Sequence, residues 1–363
     1  MAEADQKLGR IRELLKRRSV DALLLQRADN FAWATCGASS VVNLAADHGA
    51  ASLLITPSAK YLLTDTIEAP RLEGEERLAA QGWEARVSAW YEANAGIEQL
   101  ASGMKLAADG PRQGALDLSA ELMPLRASLT PEEAARYRDL GSLCAQSMDA
   151  AIRLTRPGMT EHELSGLLAR EASARGVQPI VNLIATDERI YRYRHPLPTD
   201  KRMDRYAMLV ICGRKWGLVC SLTRLVHFGA LPDELRRKSE AAARIDAQLI
   251  AATRPGKPLG DIFKEVIAAY EAAGFADEWK LHHQGGLAGY NPRELVATPA
   301  TTFPVSASQA YAWNPSITGT KSEDTILVGD DGNEIITAIP GWPVIEVKVD
   351  GRVIKRPAIL EQQ

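Results

Sequence analysis

The tetrapeptide Thr-Arg-Pro-Gly occurs twice, at 155–158 and at 253–256, and both copies lie between stretches with helical patterning. Proline and glycine end helices in many contexts, so one copy alone marks only a stop and a restart. Here the flanks match as well. A helix is predicted from Thr130-Pro131-Glu132-Glu133, where Thr130 can cap, Pro131 suits the first turn and Glu133 completes a capping box, to about Leu154. The box Thr160-Glu161-His162-Glu163 then opens a second helix. The later copy follows an alanine-rich stretch from about Asp233 to Ala252 and precedes a helical pattern from about Leu259 to Ala273. Strand-like sequence follows each copy. A repeat of this kind implies two related halves, with a ligand site expected between them.

The chain ahead of the repeat reads differently. Leu8, Ile11, Leu14 and Leu15 recur at helical spacing, and the short apolar runs 22–25, 51–56 and 61–64 read as strands. Strands interleaved with helical stretches to about residue 125 predict a small α/β domain. The overall expectation is an α+β protein, with one domain over 1–128 and a pseudo-symmetric one over 129–363. The length of 363 residues suits two domains.

Charge and cysteine content remove several function classes. Lys+Arg 43 against Asp+Glu 46 gives a net charge of −3, with no run of one sign at either end, so a general nucleic-acid partner is not expected. The stretch 187–205 mixes six basic with four acidic residues and two tyrosines, which suits a salt-bridged loop or capture of an anionic substrate better than phosphate tracking. Four scattered cysteines without a C-x-x-C pair argue against a disulfide framework and fit a reducing cytoplasm. The first residues are charged and helical in pattern, and no stretch approaches about 18 uninterrupted apolar residues, so neither export nor a membrane partner is expected.

Four segments of the second domain resemble the pita-bread superfamily of creatinase, prolidase, aminopeptidase P and methionine aminopeptidase. They are YRYRHPLPTDKRMDRYAMLVICG (191–213), GLVCSLTRLVHFG (217–229), LHHQGGLAGYNPRE (281–294) and AYAWNPSITGTKSEDTILV (310–328). VDALLLQRADNFAWATCG (20–37) is similar to the opening of the creatinase and prolidase branch. The resemblance implies a creatinase-like amino-terminal domain, a pita-bread second domain and a homodimer.

The metallopeptidases of this fold hold two divalent ions with two aspartates, a histidine and two glutamates, a donor set that suits manganese, cobalt or zinc. By the resemblance, the first aspartate falls on Ile211, the second on Ser221 or Leu222, the histidine on Gly286 and the first glutamate on Asn314, while Glu323 keeps the last glutamate. One carboxylate cannot replace the hydration shells of two dications. No metal and no other cofactor is expected.

Creatinase supplies the matching precedent, a metal-free hydrolase of a C–N bond that uses a histidine as acid and base. The resemblance places that histidine at His195 and a substrate-holding carboxylate at Glu323. Histidine titrates near neutrality, and a carboxylate accepts from guanidinium or ammonium groups. His282 and His283 are adjacent, and on a strand only one would face a pocket, with His283 favoured. Arg293 could clamp a substrate carboxylate or pair with Glu294. Asn314 reads as an orienting amide or an inert relic, and Ser221 and Thr223 share a strand face without an evident base. Trp216 and Trp313 read as core residues beside the site. The leading expectation is a metal-independent hydrolase or lyase acting on a small polar substrate. The alternatives are an Xaa-Pro dipeptidase with a degenerate metal site and a non-catalytic binding protein.

Overall fold

The Leu8, Ile11, Leu14 and Leu15 spacing becomes the buried face of the helix Glu3–Arg18. In the computed structural model, which describes residues 2–92 and 95–363, the chain divides into two compact units at Glu132/Glu133. That boundary falls four residues beyond the expected one. Among the described residues, no helix is long and apolar enough to cross a membrane.

The first unit is built on a six-stranded sheet with β1 Ala22–Arg27, β2 His48–Ile55, β3 Lys60–Asp65, β4 Glu84–Ser88, β5 Leu106–Ala108 and β6 Ala115–Asp117. The order is β4-β3-β2-β1-β5-β6. The run Leu23-Leu24-Leu25 is wholly buried in the central strand, as expected for a strand covered on both faces. The apolar runs of the first domain thus form the three antiparallel central strands, with parallel strands added on both sides.

In the second unit the sequence repeat becomes a structural one. The helices Pro131–Arg153 and Glu161–Ala174 precede three antiparallel strands, β7 Gln178–Thr186, β8 Tyr206–Lys215 and β9 Leu218–Phe228. The helices Asp233–Ala252 and Leu259–Ala272 precede a second sheet. Its strands are β10 Gly285–Ala288, β11 Leu295–Val296, β12 Ala310–Trp313, β15 Asp324–Val328 and β16 Asn333–Ile335, in the order β11-β10-β12-β15-β16. A small hairpin, β13 Ser316–Ile317 with β14 Thr320–Lys321, lies between β12 and β15 in sequence.

The two Thr-Arg-Pro-Gly turns are the same device. Thr155 and Thr253 each donate their hydroxyl to the carbonyl four residues back, ending the helix. Gly158 and Gly256 both take φ near +88° (88° and 87°), which a side chain rarely adopts. Their N–H groups donate to Met203 and Val305 at 2.8 Å, and Met203 and Val305 donate back to Met159 and Lys257 at 2.9 and 3.0 Å. Each turn therefore stitches the helix pair of one half to the chain entering that half's sheet.

The halves meet where β9 faces β15. Thr223 N–H donates to the Glu323 carbonyl at 3.2 Å in an isolated antiparallel bridge, and Ser221 N–H donates to Thr325 Oγ1 at 2.9 Å. All eleven residues of β9 are buried, so this seam is the interior of the unit.

The capping box is complete, with Glu163 N–H donating to Thr160 Oγ1 at 3.1 Å and Thr160 N–H to Glu163 Oε2 at 2.6 Å. Thr160→Ala is expected to cost about 1 kcal/mol, read as a lower urea midpoint at unchanged slope, whereas Thr160→Ser keeps wild-type stability. Equal midpoints for the alanine variant would contradict the cap.

Candidate active site

Strand alternation sorts the residues at the seam. Ser221 and Thr223 on β9, and Glu323 and Thr325 at β15, face one another across it, while Ser322 and Asp324 point the other way. On that other side Arg224, Arg356, Asp246 and Asp324 form a buried, charge-balanced network, with Arg224–Asp324 at 2.8 Å and Arg356 at 2.6 Å from Asp246 and 2.7 Å from Asp324. It anchors the strand on either side of Glu323.

Glu323 is fully enclosed by the chain's own donors. Oε1 accepts from Arg293 Nη2 at 3.0 Å, and Oε2 accepts from Thr223 Oγ1 at 2.6 Å and pairs with Lys321 Nζ at 2.7 Å. Burial alone would raise the carboxyl pKa, but Lys321 and Arg293 outweigh it and hold the group at about 2. Two cations against one carboxylate leave this buried cluster with a net positive charge.

Three imidazoles complete the site. His195 Nε2 lies 3.1 Å from His282 Nε2, and His282 Nδ1 is 3.4 Å from Ser316 Oγ. The His283 ring is centred 4.6 Å from that of His282 and 5.6 Å from that of His195. Burial first and nearby cations second lower all three pKa values, to about 2 for His282 and about 4 for His283, so the rings are neutral at pH 7. Next to His282 and Lys321 lies a cavity of only about 10 Å³, also lined by Tyr193, Arg194 and Ser316.

His195 is placed by a loop braced from the helix Glu161–Ala174. The carboxylate of Glu161, wholly buried, accepts from Thr186 N–H at 2.8 Å and from Thr199 N–H at 3.0 Å and pairs with Arg189. Asp187, at φ 48°, accepts from the N–H groups of Asp204, Arg205 and Tyr206. The mixed charges of 187–205 are therefore largely internal ties, including Arg194 to Glu278 at 2.6 Å and Lys201 to Glu188 at 3.1 Å.

Several expectations are revised by these positions. Both His282 and His283 reach the cluster, because the chain bends at His282 after the short helix Glu278–Leu281 and is not in a strand there. Arg293 pairs with Glu323, not Glu294, through Nη2, and directs Nη1 to Ser221 Oγ (3.2 Å) and the Pro292 carbonyl, with Nε buried and unpaired. Glu294 accepts from Tyr290 N–H and Asn291 Nδ2 and so closes the turn before β11. Asn314 is buried beside Gly285 with its Oδ1 unpaired. Trp313 is core, with Nε1 bonded to Thr253 Oγ1 at 2.9 Å, whereas Trp216 sits at φ 53° in the hairpin turn between β8 and β9.

Two site residues escaped the sequence reading. Cys212 is opposite Ser221 in the β8–β9 register, as Ile211 is opposite Leu222, and it lies 3.2 Å from the Ser221 hydroxyl. Lys321 precedes Glu323 by two residues, the spacing that puts side chains on one strand face, and that was the available signal.

Residues 135–330 match the metallopeptidase family M24. The chain belongs to this family. An uncharacterized peptidase of Staphylococcus haemolyticus is 24% identical over 232 residues, which cover 61% of this chain and 65%, just under two thirds, of that relative's length. In fold the chain is similar to an Xaa-Pro dipeptidase from Bacillus anthracis (TM-score 0.80, 17% identity, 99% of this chain and 100% of the other). It is likewise similar to the prolidase from Pyrococcus horikoshii (TM-score 0.79, 17% identity, 92% of this chain and 98% of the other).

The residues present in this M24 chain do not fit a pair of divalent ions. Ile211, Ser221, Gly286, Asn314 and Glu323 supply one carboxylate, and both of its oxygens are paired to cations of the chain. Burial pushes the Cys212 thiol pKa up, with Glu323 adding to the effect, so it is not a ready thiolate ligand. Gly286 cannot be restored to histidine in place: a Cβ there would lie 2.1 Å from the Leu295 carbonyl oxygen.

Removing the carboxylate charge should therefore unbalance the site. Glu323→Gln leaves two buried cations facing a neutral amide and is expected to cost about 3–5 kcal/mol near pH 7 by denaturant unfolding. A depressed folded pKa stabilises above the unfolded value of about 4.3, and that contribution fades as pH falls toward about 2. The difference between wild type and variant should shrink between those limits; a difference independent of pH would refute the charge assignment.

Proposed function

We propose that the chain is a hydrolase cleaving a C–N bond in a small, carboxylate-bearing substrate, with His195 as acid and base and without the paired metal ions of its relatives. The observation that carries this reading is Glu323, whose two oxygens are held by Arg293 and Lys321, so that fixed side-chain cations stand where metal charge is expected. The net positive charge favours an anionic group, and Lys321, an ammonium with three donors, has hydrogen-bonding capacity beyond its bond to Glu323.

In this reading His195 Nε2–H donates to His282 Nε2, and the His195 Nδ1 lone pair is the base. His282, the more deeply buried ring, is fixed by Ser316 and orients His195. Nδ1 takes a proton from water as its oxygen attacks the electrophilic carbon, then returns that proton to the departing nitrogen as the C–N bond breaks. Lys321 stabilises negative charge on the substrate during the step.

The test is to treat the purified chain with chelator and incubate it with guanidino acids, cyclic amidines and Xaa-Pro dipeptides, with products read by mass spectrometry. The reading expects C–N cleavage of a guanidino acid or amidine, reduced at least about 100-fold in His195→Ala. Cleavage of Xaa-Pro dipeptides alone, and only after manganese or cobalt is supplied, would replace it with a dipeptidase. Ligands that raise the melting temperature but are never consumed would replace it with a binding protein.

A further inference from the structure

We infer that His195, His282 and His283 form a site for one late first-row transition-metal dication, Zn2+ or Cu2+, with a donor set unlike the carboxylate-rich one that the resemblance implies. One donor atom from each ring lies within 4.8 Å of the others, the one group of three potential ligands of this kind among the described residues. The His195–His282 Nε2 separation of 3.1 Å falls between the roughly 2.9 and 3.3 Å expected for neighbouring nitrogens at octahedral and tetrahedral ions with bonds of about 2.05 Å. Two facing imidazole nitrogens at this distance share either a proton or a metal. His283 Nδ1 is buried and has no hydrogen-bond partner, so that ring has an unused nitrogen at the cluster. The Ser316 hydroxyl near His282 Nδ1 supplies the outer contact that fixes a ligating ring.

The donor set determines which ion is taken. Three imidazoles without a carboxylate suit zinc and copper and do not satisfy manganese or magnesium, which need oxygen ligands. Lys321 and Arg293 nearby favour an anion, such as chloride or a substrate carboxylate, as the fourth ligand. Coordination through His195 Nε2 leaves the single proton of that ring on Nδ1. On the reading proposed above, which this consequence rests on, an ion here removes the base and inhibits hydrolysis.

Isothermal titration of the chelator-treated full chain with ZnCl2 and MnCl2, and nitrogen hyperfine structure in the electron paramagnetic resonance spectrum of the Cu2+ form, test the site. The expected result is one zinc per chain, no comparable manganese binding, and copper spectra showing three nitrogens. His195→Gln, at a solvent-exposed position, should weaken zinc by more than about the 10–100-fold that an outer-shell partner supplies. His282→Asn should do the same, with folding checked by its metal-free melting curve. Zinc binding unchanged in His195→Gln, or manganese bound equally well, would overturn the site. Stoichiometric zinc that leaves turnover intact upholds the site and instead counts against His195 as the base.

Discussion

The carboxylate of Glu323, held between Arg293 and Lys321, is the constraint around which the second unit is arranged. It lies at the seam where the two halves of the repeat join, and its backbone carbonyl receives the Thr223 N–H that ties β9 to β15. A buried charge is tolerated only when paired and hydrogen bonded, and each oxygen here meets both conditions. The neighbouring network of Arg224, Arg356, Asp246 and Asp324 does the same on the opposite strand face, so the charged interior is satisfied on both sides.

The same contacts explain how a member of family M24 can keep its fold with one carboxylate among the five positions that the resemblance matches to metal ligands. In the resemblance, five ligands surround two dications; here one carboxylate meets an arginine and a lysine, and the remaining positions are neutral. Side-chain cations supply positive charge without needing four or more further oxygen ligands. Ser221, where one aspartate is expected, bonds instead to the neighbouring Cys212, which satisfies its hydroxyl without an ion. The glycine at 286 lets β10 approach Leu295 more closely than a histidine would allow.

Much of the fold was legible in the sequence, because proline, glycine and capping residues act locally. The second half's helix, expected at Asp233–Ala252, has those bounds, and the repeat's turns carry matching glycine geometry. The site was less legible for physical reasons. Arg293 could have bonded several acceptors, and only the return of β15 beside the turn selected Glu323. His282 and His283 were read by strand alternation, but the bend at His282 removes that rule. Cys212 was missed because its pairing with Ser221 depends on the β8–β9 register, which no local sequence pattern sets. Lys321 follows the alternation rule and lies two positions before Glu323, so attention to charge on that face would have found it.

Anomalous diffraction from crystals of the chain grown with manganese tests the central claim most directly. The account predicts no anomalous peak at Glu323, with Arg293 and Lys321 still on its two oxygens. Two manganese ions bridged by the Glu323 carboxylate, with both cations displaced, would contradict it.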